Sequence, residues 1–243
     1  MKIICFGDSL TRGVTYIKGR LRIVKKNYPA ILQELFGQKE KDSSQSVQIV
    51  NKGVFNDNSE HLLKRLEKDV LQEKPSIVLI GIGGNDCNFR WAEVAEAPGD
   101  THTATVPLNL YIDNLKTIIF RLREEGITPI LLTLPPLDPV RYYEYTAKLY
   151  SSKVSEWICK VGGIEHWHGM YNRALKKTAE EIDVRLIDIR TAMKKAGDFS
   201  VFISDDGIHP TESGYQAIAH EVYESLLFSI KGNELKEKSH SRY

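Results

Sequence analysis

Cysteine is scarce in this chain. Its 243 residues hold three, Cys5, Cys87 and Cys159, and no two form a Cys-x-x-Cys pair. Free thiols in a reducing compartment are therefore expected rather than a disulfide framework. An excess of one charge is also missing. Lys and Arg number 33 against 32 Asp and Glu, a net charge of +1, so the electrostatic footprint of a nucleic-acid binder is absent. No stretch approaches the roughly 18 consecutive apolar residues of a membrane helix. The apolar start, Ile3-Ile4-Cys5-Phe6, falls short of the roughly 7–15-residue core of a signal peptide, and cleavage there would remove a strand and the serine that follows it. Internal repeats and composition breaks are lacking too. The expectation is one α/β domain over residues 1–230 with a polar tail over 231–243. The protein is expected to be cytoplasmic, without nucleic-acid or membrane partners, and is compatible with a homo-oligomer.

Two motifs of cofactor chemistry also fail to appear. Gly81-Ile82-Gly83-Gly84-Asn85 has neither the dinucleotide-binding nor the Walker spacing, so no phosphate cradle is expected. Asp205 and Asp206 lie close to His209 in sequence, but no further His or Cys stands nearby to complete a metal site. No cofactor and no metal are expected.

What is present is a series of short apolar runs that alternate with helical stripes. Ile3–Phe6, Val47–Val50, Ile77–Ile80, Thr128–Leu134 and Val184–Asp188 read as strands. Stripes such as Leu62, Leu63, Leu66, Val70 and Tyr111, Leu115, Ile118, Ile119, Leu122 read as helices between them. Five strands alternating with helices predict a parallel sheet covered on both faces. In such sheets ligands bind outside the carboxyl ends of the strands. The residues that follow each strand therefore matter. After the first strand, Gly7-Asp8 breaks the run and Ser9 follows, a hydroxyl on a tight turn, where a nucleophile can be held still. Asn56 follows the second strand and Asn85 the third, while Asp206 and His209 follow the fifth.

Two long connections stand out, Cys87 to Asn109 and Leu137 to about His166. Segments of this length in a compact domain are commonly lids or binding loops. Their aromatics include Trp91, Tyr142 and Tyr143, which together with Asp8 are taken as candidate substrate-binding residues. Lys18 to Lys26 reads as a basic loop, either solvated or a patch for an anionic part of the substrate. His102, His166 and His168 are read as structural.

Four blocks, in order, carry a family resemblance: Gly7-Asp8-Ser9-Leu10, Val50-Asn51-Lys52-Gly53-Val54-Phe55-Asn56-Asp57, Gly81-Ile82-Gly83-Gly84-Asn85-Asp86 and Asp206-Gly207-Ile208-His209-Pro210. Over about residues 2 to 228 the chain resembles the SGNH hydrolases, the GDSL-type esterases and lipases. The resemblance implies a three-layer α/β/α sandwich, flavodoxin-like, with sheet order 2-1-3-4-5. It implies Ser9, His209 and Asp206 as a catalytic triad, and Ser9, Asn56 and Asn85 as oxyanion-hole donors. The second block departs from the pattern, because Asn56 stands where the family has a glycine; Gly53 is the alternative donor. The implied activity is hydrolysis of small or medium acyl esters through an acyl-enzyme. The alternatives are deacetylation of sugars or other metabolites, and ligand binding without catalysis on the same fold.

Overall fold

The structure is a computed structural model and describes residues 1–39 and 46–240. The polar connection expected over 38–46 therefore lies largely outside the described residues, as do the last three residues of the expected tail.

Among the described residues, seven strands and ten α-helices follow one another. They are β1 (Lys2–Gly7), α1 (Ser9–Arg12), β2 (Val14–Ile17), β3 (Arg20–Ile23), α2 (Tyr28–Lys39), β4 (Gln48–Gly53), α3 (Ser59–Asp69), β5 (Ile77–Gly81), α4 (Trp91–Glu96), α5 (Leu108–Glu124), β6 (Thr128–Leu132), α6 (Pro139–Leu149), α7 (Val154–Lys160), α8 (Ile164–Glu181), β7 (Arg185–Ile187), α9 (Ile189–Lys195) and α10 (Glu212–His240). Five of the strands form one sheet in the order β4-β1-β5-β6-β7, and every neighbouring pair is parallel. Counted within that sheet, the order is the expected 2-1-3-4-5.

The two-residue period of a strand sorts β1 between two cores. Ile4 and Phe6 face α3, α5 and α8, packing with Leu62, Leu66, Leu115, Ile118, Tyr171 and Leu175. Ile3 and Cys5 face α2, α9 and α10, packing with Tyr28, Leu32, Met193, Tyr215 and Val222. Both faces of the central strands are covered, which is why these strands read as unbroken apolar runs. A third cluster lies apart from the sheet. Phe89, Trp91, Val94, Leu137, Tyr142, Val154, Trp157 and Ile164 come from the two long connections and from α4, α6, α7 and α8.

Three expectations are corrected. Residues 18–26 are not all loop: β2 and β3 pair as an antiparallel hairpin with Ile17 opposite Arg20. Lys18 and Gly19 at its tip have φ of 50° and 77°, and a two-residue hairpin turn requires left-handed backbone at both positions. The connection after β5 contains α4. At the C-terminus, α10 runs through the stretch expected as a tail as far as His240. No helix among the described residues is long and apolar enough to cross a membrane.

Candidate active site

Ser9 is placed by a turn fixed at both ends. Gly7 ends β1 where a Cβ would collide with the carbonyl of Gly81 and the Thr11 hydroxyl. Asp8 then caps α1, its Oδ1 accepting the Leu10 N–H at 2.9 Å. Gly13, at φ 97°, closes the single turn, and its N–H reaches the carbonyls of Ser9 and Leu10. The Ser9 hydroxyl therefore leaves the sheet edge on a short, doubly capped element.

The loop that carries Asp206 and His209 meets it from the other end of the chain. Ile203 bridges Pro210, and Gly207 turns the loop at φ 78°. A Cβ on Gly207 would strike the backbone of Tyr142, so the loop lies directly against α6. That contact is bonded as well as packed. The Asp138 N–H donates to the Gly207 carbonyl at 2.8 Å, and Arg141 Nη1 donates to the carbonyls of Ser200 and Ile203 at 2.8 and 2.7 Å.

Held this way, His209 Nε2 stands 3.0 Å from Ser9 Oγ, and Nδ1 stands 2.6 Å from Asp206 Oδ2. Asp206 is fully buried. Its other oxygen, Oδ1, accepts from the N–H groups of Ile208 and His209 at 3.2 and 3.1 Å and from the Ser204 hydroxyl at 3.0 Å. Burial alone would raise the Asp206 carboxyl. The hydrogen bonds and charge of His209, together with the Ile208 N–H, outweigh burial and hold it below the usual carboxylate range. An ionised Asp206 accepts the Nδ1 proton, which leaves the Nε2 lone pair toward Ser9.

Asn85 lines the same cavity, and its Nδ2 donates to the Asp57 carbonyl at 2.7 Å. An amide nitrogen has two protons, so the second remains for a ligand. Asn56 is exposed and stands outside the cavity wall, next to that Asp57 carbonyl. Its φ of 63° is left-handed, the conformation a glycine adopts most easily. The alternative, Gly53, is committed elsewhere: its N–H donates to Asn51 Oδ1 at 2.9 Å, and its bare α-carbon lets α1 pack against β4.

The cavity holds about 100 Å³ of free space and opens to solvent at its mouth. Leu10, Ile82, Leu134, Leu137, Ile164 and Ile189 make much of its wall apolar. Of the four candidate substrate-binding residues, Asp8 and Tyr142 line it. Trp91 is one layer behind, its Nε1 donating to Asn88 Oδ1 at 2.8 Å and to the Tyr142 hydroxyl at 2.9 Å. Tyr143 packs on the rim of the aromatic cluster rather than in the wall. Asp8 is buried, and burial pushes its carboxyl up to about 7. The Leu10 N–H and His209 oppose that rise, and Asp86 and Asp57 add to it.

Several residues of this site are not evident from the sequence. Asn88 accepts from the Phe89 N–H, the Trp91 indole and the Tyr142 hydroxyl with one oxygen. It precedes a stretch without a period, so nothing in the sequence marks it. Ser204 and Arg141 belong to no motif and gain meaning only when the loop folds. His168, read from the sequence as structural, lines the cavity; the signal that could have found it is its place three residues before Tyr171 and seven before Leu175, on the buried stripe of α8.

The family model of the GDSL-like lipase/acylhydrolases matches residues 5–217, and the chain belongs to this family of ester hydrolases. A rice relative, GDSL esterase/lipase WDL1 of Oryza sativa subsp. japonica, is 28% identical over 185 residues, 73% of this chain and 65% of its own length. GDSL esterase/lipase CPRD49 of Arabidopsis thaliana is 24% identical over 228 residues, 91% of this chain and 77% of its own. Among solved structures, a lipase/acylhydrolase from Enterococcus faecalis superposes with a TM-score of 0.64 at 23% identity, covering 93% of this chain and 94% of its own. That likeness is one of fold.

Proposed function

We propose that this member of the GDSL-like lipase/acylhydrolase family hydrolyses small or medium acyl esters with Ser9 as nucleophile, His209 as general base and acid, and Asp206 as the group that orients it. The observation that carries the reading is the continuous bonded line from Ser9 Oγ through the imidazole to Asp206, 3.0 and 2.6 Å long, at the wall of an apolar cavity. Nε2 takes the Ser9 proton as Oγ bonds to the ester carbonyl carbon. The carbonyl π pair moves to its oxygen, and Asp206 steadies the imidazolium. The negative oxygen is met by the Ser9 N–H at the start of α1 and by the free Nδ2 proton of Asn85. The Asn56 N–H is the third donor that the family pattern implies; Asn56 is exposed and does not line the cavity, so the two donors of Ser9 and Asn85 are the ones proposed. When the tetrahedral species collapses, the alkoxide leaves with the proton from Nε2. Water repeats the sequence on the acyl-enzyme and releases the acid.

The distribution of aromatics bears on the competing readings. Stacking on a sugar ring needs an open aromatic face, and Trp91, Phe89 and Trp157 are buried against one another. Among the described Phe, Tyr and Trp residues only Tyr142 reaches the wall, so a short acyl or alkoxy group is favoured over a stacked ring. A ligand-binding protein without catalysis would not need the triad wiring. A cytoplasmic location forms part of the proposal, because Cys5, Cys87 and Cys159 are all free thiols.

The test is a series of p-nitrophenyl esters from acetate to octanoate. Turnover highest for the short members and abolished by Ser9→Ala supports the reading. A flat absence of turnover in folded protein, or wild-type activity in Ser9→Ala, overturns it.

A further inference from the structure

We infer that His168 is a specificity-determining residue of the ester cavity: a fixed Nε2–H donor that favours substrates with an oxygen acceptor on the portion bound there, a hydroxyl or ether oxygen in place of a methylene. This rests on the serine-esterase reading of the same cavity and adds a substrate feature to it.

His168 is in the cavity wall and only 7% exposed. Its Nδ1 stands 3.2 Å from Arg190 Nη1. A guanidinium has no lone pair to offer, so Arg190 donates and Nδ1 accepts. A neutral imidazole carries one proton, which must then be on Nε2. The ring is kept neutral: burial, then the charges of Arg190 and Lys194, push its pKa down to about 3. Arg190 is itself fixed. It donates to the Pro135 carbonyl at 3.1 Å, pairs with Glu165 at 3.6 Å, and its backbone N–H donates to Thr133 Oγ1 at 3.0 Å. The tautomer of His168 is therefore set by the protein before any ligand arrives.

Among the described residues no protein acceptor meets Nε2. The wall that holds His168 also contains Ile164, Ile189, Pro135 and Pro136, none with a side-chain acceptor. Nε2 opens onto the cavity, and a bound chain that displaces water from it without an acceptor leaves the donor unpaired, which is costly. A substrate that brings an oxygen to that place recovers the bond, whereas an alkyl chain of the same shape leaves it unmade. Sites of this kind discriminate through the penalty on the wrong substrate.

Two matched pairs separate the acyl and alcohol sides of the ester. p-Nitrophenyl butyrate against p-nitrophenyl methoxyacetate exchanges a methylene for an ether oxygen in the acyl chain. Butyl acetate against 2-methoxyethyl acetate does so in the alcohol. With each kcat/KM divided by the hydroxide-catalysed rate, the wild-type enzyme is expected to favour the oxygen-bearing member of one pair by about tenfold. His168→Phe should remove that preference. His168→Gln, whose amide N–H falls near the place of Nε2–H, should restore much of it. Nitrogen-15 shifts of the wild-type ring at pH 7 should show a bare Nδ1 and a protonated Nε2, independent of any variant. No preference in either pair overturns the inference. So does a preference that survives His168→Phe undiminished, or a proton found on Nδ1. Ser9→Ala separates this from failure of the esterase reading: it should silence all four esters, and if it does not, the nucleophile is wrong whatever His168 does.

Discussion

The Ser9 end of the cavity and the aromatic cluster behind its wall are held together by different forces. At the Ser9 end nearly every polar atom has a named partner: Asp206 accepts four hydrogen bonds from His209, Ile208 and Ser204, and Asn85 is tied to Asp57. In the cluster Phe89, Trp91, Trp157 and Trp167 meet edge to face or tilted, at centroid distances of 4.9 to 5.7 Å. A hydrogen-bonded chain needs particular atoms at particular places. A cluster of rings needs volume and shape, which many sequences supply. The first is thus expected to fail abruptly on substitution, and the second to weaken by degrees.

The largest effect should come from Ser9→Ala and His209→Ala, each lowering kcat about 10⁴-fold or more. The double variant should be little worse than either, because the two act as one unit. Additive losses would separate them and break the contrast with the aromatic cluster. Next, Asn85→Ala should lower kcat about 10²–10³-fold with KM little changed, the usual cost of one oxyanion donor; a rise in KM alone would place Asn85 in ground-state binding instead. In the aromatic cluster, Tyr142→Phe removes the hydroxyl shared with Asn88 and Trp91. Urea unfolding should show a loss of about 1 kcal/mol, with turnover of p-nitrophenyl acetate retained within a few-fold.

The smallest effect is a gain. Burial raises the Asp8 carboxyl from 3.8 to about 7, so the fold favours its neutral form. The contribution of Asp8 to stability is then full below about pH 4 and is lost as pH rises through about 7, since a raised carboxyl binds more protons folded than unfolded. The Asp8→Asn variant keeps an oxygen for the Leu10 N–H and carries no charge. It should match wild type near pH 4 and exceed it at pH 8.5. Equal stability at pH 8.5 would show that Asp8 ionises in the fold without penalty.

This division also explains what could be read from the sequence. The sheet was legible because β1, β5 and β6 are covered on both faces and so are written as continuous apolar runs. The meeting of Ser9 and Asn85 was legible because each follows a strand of one parallel sheet, whereas Asp206 and His209 come after α9 and reach the same rim from the loop before α10. The hairpin escaped because Lys18-Gly19 was read for its charge rather than for the left-handed turn it permits. Trp91 and Tyr143 were placed against substrate because an aromatic in a long connection looks the same in sequence whether it faces a ligand or another ring. Asn88 and Arg141 have no signal because what gives them meaning, the Tyr142 hydroxyl for one and the carbonyls of Ser200 and Ile203 for the other, is more than fifty residues away along the chain.

The central claim is that residues two hundred positions apart make one reactive serine at the cavity wall. A fluorophosphonate that labels activated serines tests it directly, read by intact mass and peptide mapping. A single adduct on Ser9, slowed by orders of magnitude in His209→Ala, is the predicted result. An adduct on another residue, or none on folded protein, would contradict it.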